Sequence, residues 1–127
     1  MQERHLFEYA VIRVMPRVER EEFINVGVIL YCAKQKYLNV AFELKEERLK
    51  AFNCELEPSV ITANLMAIAK ICKGGKEAGP IGQLDMASRF RWLTATRSTV
   101  VQASKVHPGF CIDAEETLQK LQQELVL

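Results

Sequence analysis

Hydrophobic positions along the chain fall into a short series of segments, each with its own period. His5 to Met15 is rich in β-branched and aromatic residues around an apolar centre, Tyr9-Ala10-Val11-Ile12, and predicts a strand. Pro16 is expected to end it, because proline withdraws a ladder donor. Val26 to Cys32 is almost continuously apolar, the pattern of an interior strand covered on both faces. Gly27 within it marks a bulge or the close approach of another backbone. After the short polar stretch Ala33-Lys34-Gln35-Lys36, the chain resumes at Tyr37. Leu38, Val40 and Phe42 then alternate with Asn39, Ala41 and Glu43, so a half-buried strand returns antiparallel to its predecessor as a hairpin.

Helical spacing then takes over. Glu46 to Phe52 suits a short helix, and Pro58 fits the first turn of a longer one. In the latter, Ile61, Leu65, Ile68 and Cys72 recur at helical spacing while Val60, Ala63, Ala67 and Ile71 widen the apolar face. A well-buried helix is expected, stopped by Gly74-Gly75. Lys73 to Gly82 reads as a loop. Leu84, Ala87, Phe90 and Leu93 predict a further helix, Ser98 to Ser104 a strand, and His107-Pro108-Gly109 a tight turn. Asp113 with Glu116 forms a capping arrangement for a last helix, whose apolar stripe is Leu118, Leu121 and Leu125. No internal repeat interrupts this order. The elements imply an α+β fold, a mostly antiparallel sheet of about four strands with helices packed against it, in a single domain spanning residues 1–127. Strand order is left open.

Composition adds boundaries. Of 127 residues, 49 % are apolar and 26 % charged, as in an ordinary soluble globular protein. Seventeen basic against sixteen acidic side chains leave a net charge of +1. That balance disfavours a general nucleic-acid binder while leaving room for a local basic patch. No apolar run approaches the ~20 residues of a membrane helix, and Met1 to Tyr9 alternates charged and apolar residues instead of forming a secretion signal. A cytoplasmic protein without membrane contact is therefore expected. Cys32, Cys54, Cys72 and Cys111 show no short metal-ligand spacing, and His5 and His107 are the only histidines. The expectation is four reduced thiols, no metal and no cofactor.

Two clusters carry candidate chemistry. Arg17 to Glu22 sets five charges in six residues directly before the buried strand, so it must be a surface connection or one helical turn. Solvation of Glu19, Arg20, Glu21 and Glu22, with Phe23 and Ile24 anchoring the turn to the core, explains most of it. The second cluster, SRFRWLTATRST, holds Arg89, Arg91, Arg97, Ser98 and Thr99 around Trp92. Guanidinium forks bind phosphate or carboxylate in bidentate fashion, and hydroxyls at a strand start complete an anion site. Trp92 itself reads first as a core residue. The candidate ligand-binding set is Arg17, Arg20, Arg89, Arg91, Arg97, Ser98 and His107, gathered into one basic pocket with Glu21 and Glu22 orienting the arginines. A phosphate-loop reading of Gly75-Lys76 fails, since it needs glycine at Lys70 and a hydroxyl residue at Glu77.

Catalysis has thinner support. The chain lacks a nucleophile elbow and an H-E-x-x-H motif, and it contains two aspartates, Asp85 and Asp113. Glu21, Glu22 and Glu43 are the carboxylates available to a magnesium-dependent nuclease. The reading is accordingly a non-enzymatic accessory or interaction domain with a basic anion-binding pocket. The alternative is a metal-dependent enzyme acting on phosphate esters or nucleic acid, with no catalytic residue assigned.

Two segments, taken jointly and in order, carry a family resemblance over nearly the whole chain. The first runs from Tyr9-Ala10-Val11-Ile12-Arg13-Val14 through Pro16, Arg20, Glu22 and Phe23 to Asn25-Val26-Gly27-Val28. The second is Arg91-Trp92-Leu93, Arg97-Ser98 and Val106-His107-Pro108-Gly109. Together they resemble the bacterial domain of unknown function family 3037. The resemblance implies a small stand-alone bacterial protein and, as a partner, a HipA-like kinase protein. It transfers no catalytic residue and supplies no activity.

Overall fold

A computed structural model describes residues 3–51, 57–95 and 99–127. Strand β1 (His5–Arg17) is the spine of the sheet. A 3-10 turn, Val18–Arg20, carries the chain into β2 (Glu22–Cys32), and a tight turn leads on to β3 (Tyr37–Phe42). Helices α1 (Glu46–Ala51), α2 (Pro58–Lys73), the single turn α3 (Gly79–Gly82) and α4 (Met86–Leu93) follow. The chain then returns to the sheet as β4 (Val101–Ala103) and β5 (His107–Cys111), and closes with α5 (Ala114–Leu125). The fold is α+β. The sheet order is β3-β2-β1, with β4 and β5 sharing the far edge of β1, and every pairing is antiparallel.

The alternation of side chains divides the core into two layers. Ala10, Ile12 and Val14 of β1 and Ile29 of β2 face α2 and α4, where Ile61, Leu65, Phe90 and Leu93 meet them. Phe7, Val28, Leu30 and Cys32 face the other way, against Ala114 and Leu118 of α5. Val26 to Cys32 is thus an interior strand, paired with β3 as the apolar run predicts. Asp113 caps α5, its carboxylate accepting from the amides of Glu115 and Glu116.

Gly27 sits where β2 crowds β3. A methyl group there would lie 2.6 Å from the Ala41 carbonyl oxygen and 2.9 Å from the Phe42 Cβ. The register of β1 against β2 also shifts opposite it, between Ile12 and Arg13, so the glycine marks both the bulge and the close approach.

The local patterns mislead in several places. β1 continues through Pro16 to Arg17, because a second register shift between Val14 and Arg17 takes the proline out of the ladder. His107-Pro108-Gly109 is no turn: it opens β5 and pairs with Tyr9, Glu8 and Phe7. An edge strand tolerates the missing proline donor, and Gly109 leaves space for the Phe7 ring, whose Cζ would lie 2.6 Å from an added methyl. The Lys73 to Gly82 loop holds a 3-10 turn and α3, and the strand expected over Ser98 to Ser104 shortens to Val101–Ala103. α2 is only partly buried, with Ile61, Leu65 and Cys72 inside while Val60 and Met66 stand in solvent. The expected core tryptophan, Trp92, is 42 % exposed. Phe23 does not anchor the charged turn to the core. It lies on the surface under the Arg13 guanidinium, 3.9 Å from its ring centroid.

Among the described residues no helix is long and apolar enough to cross a membrane. Cys32, Cys72 and Cys111 are buried free thiols, and Cys54 lies outside the described residues.

Candidate functional site

The arginines singled out by the sequence go to separate places. Arg17 is the exposed last residue of β1, paired across the ladder with Glu22. Arg20 ends the 3-10 turn and forms an ion pair with Glu22 at 2.7 Å, both side chains about half exposed. With Pro16 these residues line a notch of only about 10 Å³. His107 stands opposite Tyr9, its ring 5.3 Å from the tyrosine ring. Eight strand positions separate Tyr9 from Arg17, roughly 25 Å of extended chain. Arg91 is exposed on α4 and donates to the Ser88 hydroxyl at 3.2 Å. Arg97 and Ser98 lie outside the described residues. The described members of the set are therefore not gathered into one pocket.

Arg89 is the exception in character. It is 9 % exposed, and three backbone carbonyls take its protons. Nε donates to Leu84 at 3.0 Å, and Nη1 donates to Ile71 at 2.8 Å and to Cys72 at 2.7 Å. Ile71 and Cys72 lie in the last turn of α2, whose final carbonyls lack an intrahelical partner, so the guanidinium closes the C-terminus of one helix from the side of another. The opposite charge near the carbonyl end of a helix is favourable in itself. Among the described residues Arg89 makes no ion pair with a carboxylate, and Nη2 has no hydrogen-bond partner.

Directly above this guanidinium runs the lysine-glycine loop. Gly74 has φ of 80°, in the left-handed region, and an added Cβ would lie 2.7 Å from Arg89 Nη1. Its amide donates to Lys70, and the Gly75 amide donates to the Gly82 carbonyl, which ties both ends of the loop. The result is a hollow of about 320 Å³ lined by Lys70, Lys73, Gly74, Gly75, Lys76, Glu77 and Ala78. Three lysines and one glutamate line it, and the Arg89 guanidinium lies against Gly74, one of its lining residues. Part of this charge offsets the dipole of α2, since Lys70 and Lys73 occupy its last turn. Lys76 lies beyond the helix and has no such role.

These lysines escape the sequence reading because the phosphate-loop pattern, which needs glycine at 70 and a hydroxyl at 77, does not describe them. Their spacing, at 70, 73 and 76 around two glycines with a single acid, was the available signal. Arg13, an arginine between Ile12 and Val14 in the apolar centre of β1, also escapes that reading. Among the described residues its Nε is buried without a partner, as are Asn25 Oδ1, from the residue opposite it in β2, and Gln122 Oε1 on α5.

Two perturbed groups border the loop. Asp85 caps α4, and its carboxyl is held below the usual carboxylate range first by the Ser88 hydroxyl and amide, with Arg91 and Arg89 adding to this. Burial pushes the Cys72 thiol up to about 12, against the opposing charge of Arg89. No group of three potential metal ligands occurs among the described residues.

The model of the family described as protein of unknown function (DUF3037) matches residues 9–126. The chain belongs to this family. No curated protein and no solved structure matches it. The match runs from within β1 to the end of α5, so it takes in all five strands, the first of them in part, and both helical layers, the lysine-glycine loop included.

Proposed function

We propose that this DUF3037 chain is a non-enzymatic interaction domain that grips a carboxylate-rich segment of a partner protein at the Lys70–Lys76 loop. The observation that carries the reading is the pairing of a buried guanidinium, uncompensated by an ion pair among the described residues, with three lysines around one open hollow. Arg89 holds the loop in shape through its carbonyl contacts, and the lysines supply the charge that an anionic partner meets. Such a contact steers association and weakens with salt. The HipA-like kinase protein is the first partner to try.

Polyglutamate serves as the probe, followed by amide NMR, with inorganic phosphate in a parallel titration. Shifts should concentrate at residues 70–78 and fade as salt is raised. In a Lys73→Glu, Lys76→Glu double variant they should weaken at least tenfold. Binding indifferent to both salt and charge reversal would overturn the reading. A response to phosphate equal to that of polyglutamate would make the site one for small anions instead.

A further inference from the structure

A second feature of the same helix is an apolar groove. It has a volume of about 320 Å³ and runs between α2, the end of α4 and β4. One wall is Asn64, Ala67, Ile68 and Ile71, spaced as one face of a helix. Val101 and Ala103 of β4, with Ile12 of β1, form the floor, and the half-exposed Trp92 stands at the rim. The size suits a ligand, and the small side chain of Ala67 keeps the wall open.

Among the described residues, the backbone beside this groove keeps unpaired groups, and the ladder to β1 shows which. Met15 donates its amide to Val100 at 2.6 Å, and Ser104 donates to Val11 at 2.8 Å. These two bonds set the phase of the ladder. Val100, Gln102 and Ser104 turn their backbone groups toward β1, while Val101 and Ala103 turn theirs outward. The Val101 carbonyl accepts from the Thr99 hydroxyl at 2.7 Å. Among the described residues, the amide of Val101 and both backbone groups of Ala103 have no partner. An edge of this kind, flanked by a helix and an apolar groove, is the geometry for adding an extended strand.

Charge at the rim selects among peptides. α2 carries no acidic residue from Pro58 to Lys73, and its charged side chains are Lys70 and Lys73. Between Thr99 and Lys105 the one charged residue is Lys105, and Arg91 adjoins Trp92 on α4. The basic loop that closes α2 therefore lies at one end of the same helix whose flank lines the groove.

We infer that an extended partner peptide, apolar at alternate positions and acidic at its ends, adds to β4 as a sixth strand and sets its apolar side chains into this groove. This rests on the interaction reading above and specifies the form of the partner. Outward Val101 and Ala103 bond the peptide backbone, Ile68 and Ile71 cover its side chains, and the lysines hold its acidic end.

The probe is a capped peptide in which valine and threonine alternate between glutamate ends. Binding is read by the fluorescence of Trp92, the chain's single tryptophan, and by amide shifts at residues 101 and 103. N-methylation of alternate peptide amides should weaken binding at least tenfold, and so should lysine in place of the terminal glutamates. Ala103→Pro removes an outward amide without touching the ladder to β1, and Ala67→Phe fills the wall from an exposed helix position. Each should cost at least tenfold in peptide affinity while leaving polyglutamate binding at the loop unchanged. Equal affinity of the methylated peptide, undiminished binding by both variants, or no binding at millimolar peptide would overturn strand addition. If polyglutamate still binds in those cases, only the strand-addition inference falls. If it does not, the interaction reading falls too.

Discussion

Arg89→Met keeps most of the side-chain bulk and removes every donor. It leaves the Leu84, Ile71 and Cys72 carbonyls without the bonds that now span 2.7 to 3.0 Å. A hydrogen bond to a charged group contributes about 1.5–3 kcal/mol, but three bonds to one guanidinium are not independent. Some of the loss is recovered, because a buried charge disappears and the freed carbonyls at the helix end reach water. A net destabilisation of about 3–4 kcal/mol is expected, a large fraction of the roughly 5–15 kcal/mol that stabilises a domain. Urea denaturation should show a lower midpoint at unchanged slope, and thermal unfolding a fall on the order of 10–15 °C. Hydrogen exchange should quicken first at Gly74 and Gly75, whose amides tie the loop to Lys70 and Gly82. Arg89→Lys should recover part of this, since one ammonium cannot span carbonyls on both sides as the planar fork does. A methionine variant within 1 kcal/mol of the parent would refute the cap as the reason for burying this arginine.

Arg13 should behave differently: among the described residues its Nε has no partner, and its guanidinium stacks on Phe23, so Arg13→Met should cost no more than about 1 kcal/mol in the same urea assay. Gly27→Ala must push β2 from β3, because its methyl would lie 2.6 Å from the Ala41 oxygen. A loss of about 1–3 kcal/mol is expected, and an unchanged midpoint would show that the strands yield freely. Alkali should destabilise the fold through Cys72, whose thiol ionises near 9.0 when exposed and only at about 12 in place. The unfolded chain releases this proton first, so the contribution is whole below pH 9 and falls by up to about 1.4 kcal/mol per pH unit above it. Cys72→Ala should flatten that limb of a stability-pH curve, and an identical slope in the variant would assign it to other groups.

Local pattern over a few residues determined much of this protein: the apolar run that makes β2 an interior strand, the hairpin to β3, the first-turn proline at Pro58, the cap at Asp113, and the α+β class. Those features depend on neighbours in the chain, so the sequence carries them directly. The tertiary structure decided what long-range pairing controls. Pro16 and Pro108 look like strand breakers in isolation, yet a register shift and an edge position accommodate them. The charge patterns were equally ambiguous. Arg89 and Arg91 are two residues apart and look alike in sequence, but a two-residue step on α4 turns one inward onto the carbonyls of α2 and leaves the other in water. Whether a cation closes a helix or meets a ligand depends on which element packs against it. For the lysines at 70, 73 and 76, the decisive neighbour is a guanidinium thirteen residues beyond the last of them.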